Sequence, residues 1–207
     1  ERLLVHPSGQ LVLKRSRGQV GAEAEVVSCK DFNPATLITK MKSGKYDLAE
    51  EYAVQHPSLM ALSPAGLNTV RIFTQLHNDN VDFLGARLRI SVNSVVDNMA
   101  AGNLAAPVDM ETGVVTGPGV YSDITKQDQA IHPVTKQSII GFQLPYWPET
   151  LEMIRSAALL CPDNKSVGWD IAITSEGPEL IEGNHNWCKL LWQLPVKQGL
   201  KHLLKEY

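Results

Sequence analysis

Two short segments in the last fifth of the chain hold the residues best suited to chemistry. Gly168-Trp169-Asp170-Ile171-Ala172-Ile173-Thr174 is followed, after Ser175-Glu176-Gly177, by Leu180-Ile181-Glu182-Gly183-Asn184. The pattern predicts two strands, over 167–174 and 178–182, joined by a hairpin turn. Residues two apart on a strand share a face, so Glu182 and Asn184 point the same way and pairing brings Asp170 alongside. Two carboxylates and one amide oxygen make a hard, all-oxygen donor set, suited to Mg²⁺ and not to zinc. Magnesium held this way bridges nucleotide phosphates. The plainer reading makes Asp170 a turn residue and Glu182 a solvated edge carboxylate. Charges inside such apolar strands are costly unless paired, which keeps both readings open.

Arg71 and Arg89 each sit within an otherwise apolar strand pattern. An arginine so placed pairs with a phosphate or with a carboxylate such as Glu51 or Asp170. Lys14, Arg15, Arg17, Gly18 and Gly21 form a basic glycine loop whose N–H groups could wrap phosphates, although no Walker spacing is present. A merely solvated hairpin tip is the alternative. Asn98, in Asp97-Asn98-Met99-Ala100-Ala101-Gly102, reads as a turn residue. No histidine has metal-ligand spacing, and Ser94 and Ser122 lack a nucleophile-elbow context. His132 and His185, in glycine-rich or polar loops, read as satisfied or exposed histidines, and the four tryptophans as mostly core.

The elements that must position these residues follow from pattern. Strands over 11–14 and 24–28 form a hairpin, Asn33-Pro34 caps a helix ended by Gly44, and 46–54 is a strand carrying Glu50 and Glu51. Segments 68–77, 81–91 and 98–106 have strand or glycine-rich character, and 109–148 is a long functional loop region punctuated by Gly and Pro. Pro148 opens a helix closed by Cys161-Pro162. A last amphipathic helix is expected over 195–205. The order predicts an α+β fold with antiparallel sheets.

The chain has 207 residues, 19 Lys+Arg against 22 Asp+Glu and a net charge of −3, which argues against a nucleic-acid binder working by bulk phosphate attraction. At roughly 150 residues per domain, one large domain or two joined lobes is expected. Cys29, Cys161 and Cys188 are widely spaced, which argues against a disulfide framework and for a reducing, cytoplasmic setting. No apolar run approaches the roughly 20 residues of a membrane span. The chain begins at Glu1 with no initiator Met or capping signal, so a missing N-terminal portion is expected.

Together, Lys14 before the glycine loop, Glu50-Glu51 on the following strand and Asp170…Glu182-x-Asn184 resemble the ATP-grasp fold of carboxylate–amine ligases. Asn68-Thr69-Val70-Arg71-Ile72, Val96-Asp97-Asn98, Pro107-Val108-Asp109-Met110-Glu111-Thr112-Gly113 and His132-Pro133 are similar to the sugar-transfer-associated, alpha-L-glutamate-ligase-related branch. The resemblance runs from about residue 14 to 187. It implies a nucleotide gripped by two lobes, a small one over 1–56, incomplete at its N-terminus, and a large one over 57–207 with the metal site. By motif position, Lys14 would contact ATP phosphates, and Glu50, Glu51, Tyr52 and Ala53 would form the interlobe strand that recognises adenine. Asp170, Glu182 and Asn184 would hold Mg²⁺. Arg71, Arg89 and Asn98 resemble the D-x-R…R…N-x-x-x-G-G pattern that faces the phosphates and the acylphosphate, with Asn103 in place of the second Gly.

The implied activity is an ATP-dependent carboxylate–amine or carboxylate–thiol ligase acting on small-molecule carboxylate and amine substrates through an acylphosphate, linked to cell-surface polysaccharide or sugar-transfer pathways. Two alternatives stay open. One is a non-catalytic ATP-binding module partnering a glycosyltransferase. The other is a carbohydrate-binding module using the tryptophans and the 109–148 loops. Nothing in the sequence indicates an oligomeric state.

Overall fold

The computed structural model describes residues 2–16, 24–94 and 98–205; the glycine loop from Arg17 to Gly21 and the pair Val96-Asp97 lie outside the described residues. The chain divides into two compact units, Glu1–Val54 and Gln55–Tyr207.

In the first unit, β1 (Gln10–Lys14) pairs antiparallel with both β2 (Glu25–Ser28) and β3 (Leu48–Glu51), giving the order β2-β1-β3. Leu11 and Leu13 alternate with Val12 and Lys14, so one face of β1 is fully buried against Val27, Cys29 and Leu37. Leu37 comes from α1 (Pro34–Gly44), whose start follows from chemistry in the sequence. Asn33 Oδ1 accepts from the Ala35 and Thr36 amides, both at 3.0 Å. Thr36 Oγ1 accepts from the Asn33 amide in return, and Pro34 presets φ at the first helical position. The strand expected over 46–54 is short, because only 48–51 pair with β1.

The second unit is a five-stranded antiparallel sheet, order β6-β5-β4-β7-β8. After the short α2 (Pro57–Leu62) come β4 (Thr69–His77), β5 (Asn80–Ile90) and β6 (Leu104–Val108). A long segment of isolated bridges leads to α3 (Trp147–Leu160), then β7 (Ser166–Ile173), β8 (Pro178–Asn184) and α4 (Lys189–Gln193). One sheet face is apolar: Val70, Ile72, Leu88, Ile90, Ile171 and Ile173 are all 0 % exposed. Each such side chain contributes about 1.5–3 kcal/mol relative to exposure. Helix α3 adds Trp147, Ile154 and Ala158 to this core. With this sheet and the three-stranded one, the fold is α+β, as the sequence pattern predicts.

The expected last helix over 195–205 does not form. Lys197 adopts a left-handed conformation (φ 52°) and Gly199 follows, so the chain breaks into single 3₁₀ turns at Leu194–Val196 and Lys201–Leu203. The helical turn α2 was missed because its signal is only His56, whose Nδ1 accepts from the Ser58 amide, followed by Pro57.

The 109–113 turn shows how the long loop is held against the core. Asp109 Oδ1 accepts from the Thr112 amide (2.8 Å) and hydroxyl (2.6 Å), which throws Gly113 into positive φ (73°). A Cβ on Gly113 would lie 2.4 Å from Trp147 Cγ. Gly113→Ala is therefore expected to destabilise by about 2–4 kcal/mol in urea denaturation, through backbone strain and overpacking together. Gly141→Ala, at a similar φ of 82° but with nothing within 4 Å, is expected to cost only about 1 kcal/mol.

Candidate functional site

The register of the five-stranded sheet decides which side chains meet. Arg71 lies opposite Asp170 on β7, Asp170 lies opposite Glu182 on β8, and Gly168 lies opposite Asn184. Because the period is two, these residues, together with Thr69 and Arg89, share the face turned away from the α3 core. The α3 side of the sheet is thus aliphatic, and the other side carries these ionised groups next to a smaller apolar cluster around Phe73 and Trp192.

At the centre of that polar face Asp170 is 3 % exposed and Arg71 7 %. Arg71 grips Asp170 in a two-pronged pair, Nε to Oδ1 and Nη2 to Oδ2, the latter at 2.7 Å. Arg89 Nη1 donates to the same Oδ2 at 2.7 Å and also to Thr69 Oγ1 at 3.3 Å. Burial pushes the Asp170 carboxyl up, but the two arginines outweigh it and hold the group below its ordinary value of 3.8. The sequence left Glu51 and Asp170 as possible partners of these arginines, and Asp170 is the one taken.

A pocket of about 180 Å³ opens beside the pair, bordered by Arg71, Arg89 and Asn98, with Ser122, Cys188 and Leu191 among its other walls. Three residues singled out in the sequence from separate segments thus border one cavity. Asn98 serves as a cap there, its Oδ1 accepting from the Ala100 amide at 2.9 Å. Asn103, standing where the family pattern has its second Gly, is 1 % exposed; its Oδ1 accepts from the Val92 amide and its Nδ2 donates to the Asn98 carbonyl. Ser122 and Cys188 have no motif in the sequence, and only the fold brings them to this pocket.

Sequence reasoning also passed over Arg87, two residues before Arg89 and therefore on the same face. It is 3 % exposed, donates to the carbonyls of Trp192 and Ala86, and burial pushes its pKa down to about 10. It still carries its charge at neutral pH, and ties α4 across the polar face. The alternation Arg87-Leu88-Arg89 was the available signal.

In the Glu1–Val54 unit, Lys14 Nζ donates to Glu50 Oε2, and Glu51 lies 3.5 Å from the His6 ring. Tyr52 and Ala53 follow β3 and are half-buried. Of the histidines near loops, His132 is fully buried: its Nε2 meets the Ser91 carbonyl at 2.9 Å and its Nδ1 accepts from the Val134 and Thr135 amides. It holds a loop in place.

The model of the sugar-transfer associated ATP-grasp family matches residues 8–207. The chain belongs to that family. No curated protein matches it. An ATP-grasp chain has an ATP-dependent, ligase-type function in general, and the family generally binds ATP with Mg²⁺.

Whether this ATP-grasp chain suits magnesium can be judged from its donor atoms. Among the described residues no three His, Cys, Asp or Glu side chains gather where they could hold a metal on their own. Asn184 Nδ2 donates to Glu182 Oε1 (3.2 Å) and to the Gly168 carbonyl (3.3 Å), which leaves Glu182 Oε2 and Asn184 Oδ1 unengaged among the described residues. Both belong to β8, the edge strand, and Glu182 is exposed. A carboxylate has about four lone-pair sites; the arginines occupy three on Asp170, so one on Oδ1 remains. In chemical type, carboxylate and amide oxygens such as these suit Mg²⁺. Among the described residues, no helix is long and apolar enough to cross a membrane.

Proposed function

We propose that the chain is an ATP-dependent carboxylate–amine ligase working through an acylphosphate, with Arg71 and Arg89 as its catalytic residues. The observation that carries this reading is the Arg71–Asp170–Arg89 cluster beside the open oxygens of Glu182 and Asn184, all on one sheet face of a family member. Asp170 fixes both guanidinium groups in orientation before any ligand arrives, so charge stabilisation needs no rearrangement at the moment of reaction. Arg71 and Arg89 border the pocket and would neutralise charge developing on the phosphoryl group as it passes to a carboxylate oxygen. Asn98 would orient a phosphate oxygen through its amide. Glu182, Asn184 and the spare Asp170 lone pair would hold Mg²⁺, which when bound supplies further neutralisation of phosphate charge. An amine then attacks the acylphosphate carbon, phosphate leaves, and an amide bond has formed. Lys14, Glu50, Glu51, Tyr52 and Ala53 are proposed as nucleotide contacts of the first unit, on the strength of the family resemblance. The family's link with sugar transfer supports a substrate drawn from a cell-surface or sugar-linked precursor, and ATP dependence supports action in the cytoplasm.

Hydroxylamine intercepts acylphosphates as hydroxamates, which tests the reading without the natural amine. With Mg·ATP and a panel of carboxylic acids, hydroxamate and ADP are expected to appear together for at least one acid. Arg89→Met is expected to cut that rate by about 10²–10³. ATP binding with no ADP release across the panel would instead identify a non-catalytic nucleotide-binding module.

A further inference from the structure

A second cavity of the unit lies apart from the one beside Arg71. It has a volume of about 380 Å³, within the range typical of small-molecule sites, whereas the arginine pocket has about 180 Å³. The two share no lining residue. Helix α4 contributes to both, Lys189 and Trp192 to the larger and Leu190 and Leu191 to the smaller.

The larger pocket is a built feature. Residues 200–205 fold back across the sheet and are tied down at both ends. Gln75, 1 % exposed on β4, accepts from the Lys205 amide at 3.0 Å and donates to the Lys205 carbonyl at 2.6 Å. Gln193 accepts from the Leu200 amide at 2.8 Å. Trp187, Trp192 and Leu204 supply apolar lining, and the two indoles pack edge to face with centroids 5.2 Å apart.

The neutral polar groups of this pocket are already engaged. Gln75 and Gln193 are spent on backbone, and Ser166 accepts from Trp187 Nε1 at 2.9 Å while donating to the Thr74 carbonyl. Little is left to read the hydroxyls of an uncharged sugar. Three lysines line the same space, Lys189, Lys201 and Lys205. Lys205 is paired with Asp82 at 2.6 Å; among the described residues no carboxylate pairs with Lys189 or Lys201. Among the described residues the uncompensated charge of this lining is therefore positive, and the same lining is aromatic.

We infer that this pocket binds a small organic anion, a phosphate or carboxylate borne on an apolar ring, at a site distinct from the arginine pocket. Lys189 and Lys201 take the charged group, and the ring lies against Trp187, Trp192 and Leu204. The inference goes beyond the ligase reading and does not depend on it.

Tryptophan fluorescence of the full chain, titrated with phenyl phosphate, benzoate, inorganic phosphate and benzyl alcohol, tests it. Saturable binding of phenyl phosphate or benzoate is expected, with inorganic phosphate and benzyl alcohol at least about tenfold weaker. The ratio of the two aryl anions tells a phosphate ligand from a carboxylate one. The double variant Lys189→Ala, Lys201→Ala is expected to bind about tenfold or more weakly, with an unchanged thermal midpoint because both lysines are exposed. Saturating Mg·ATP analogue is expected to leave the aryl-anion affinity unchanged. The inference is overturned if neither aryl anion saturates, if the double variant binds as the parent does, or if the nucleotide analogue competes.

Discussion

Replacing Asp170 by alanine is expected to remove about 3–5 kcal/mol of folding stability in urea denaturation, the largest single effect in the second unit. The reason is asymmetric. The arginines do not merely lose a partner; two guanidinium groups, with side chains only 8 % and 12 % exposed, are left uncompensated. Asp170→Asn keeps one acceptor oxygen and is expected to cost less. Exchanging the whole cluster, Arg71→Met with Arg89→Met and Asp170→Leu, is expected to recover most of the loss, because an apolar triad needs no desolvation of ions. A cost below about 1 kcal/mol for Asp170→Ala would show that the three charges are not coupled in this way.

The same carboxylate contributes to stability against acid. Its folded value is depressed below 3.8, so as pH falls the unfolded chain takes up the proton first. The stability the pair contributes is fully present above the unfolded value and is lost as pH drops through the folded one. Parent protein is expected to lose stability below about pH 4 more steeply than the triple apolar variant.

How much of this was legible depends on whether the signal was local. Asn33-Pro34 and the 175–177 turn are local, and the helix and hairpin they specify are present. The hairpin alone was enough to bring Asp170, Glu182 and Asn184 onto one face. The partner of Arg71 was not legible, because Asp170 lies 99 positions away and the match is fixed by the register between β4 and β7. The expected C-terminal helix failed for the opposite reason: apolar spacing over 195–205 suits a helix, but left-handed Lys197 stops it after one turn. What replaces it is a strap held by Gln75, a residue 130 positions earlier that carries no motif. Burial also separates two arginines with similar sequence surroundings: Arg87 is spent on backbone carbonyls, whereas Arg89 borders a pocket.

The second large effect is on ligand binding and leaves the fold intact. Glu182→Gln combined with Asn184→Ala removes one carboxylate charge and one amide oxygen from the edge strand. Two such charge-assisted interactions are each worth about 1.5–3 kcal/mol, so Mg²⁺-dependent affinity for an ATP analogue is expected to fall by on the order of 10²–10⁴. Stability is expected to change by less than about 0.5 kcal/mol, because Glu182 is exposed and a 3.2 Å hydrogen bond at the surface is all that joins its side chain to that of Asn184. If Asp170 anchors the arginines while Glu182 and Asn184 hold the metal, the Asp170 variant loses the fold's stability and the β8 double variant loses only the magnesium dependence. Unchanged magnesium-dependent binding in the double variant would move the metal off β8 and leave the open oxygens there without a role.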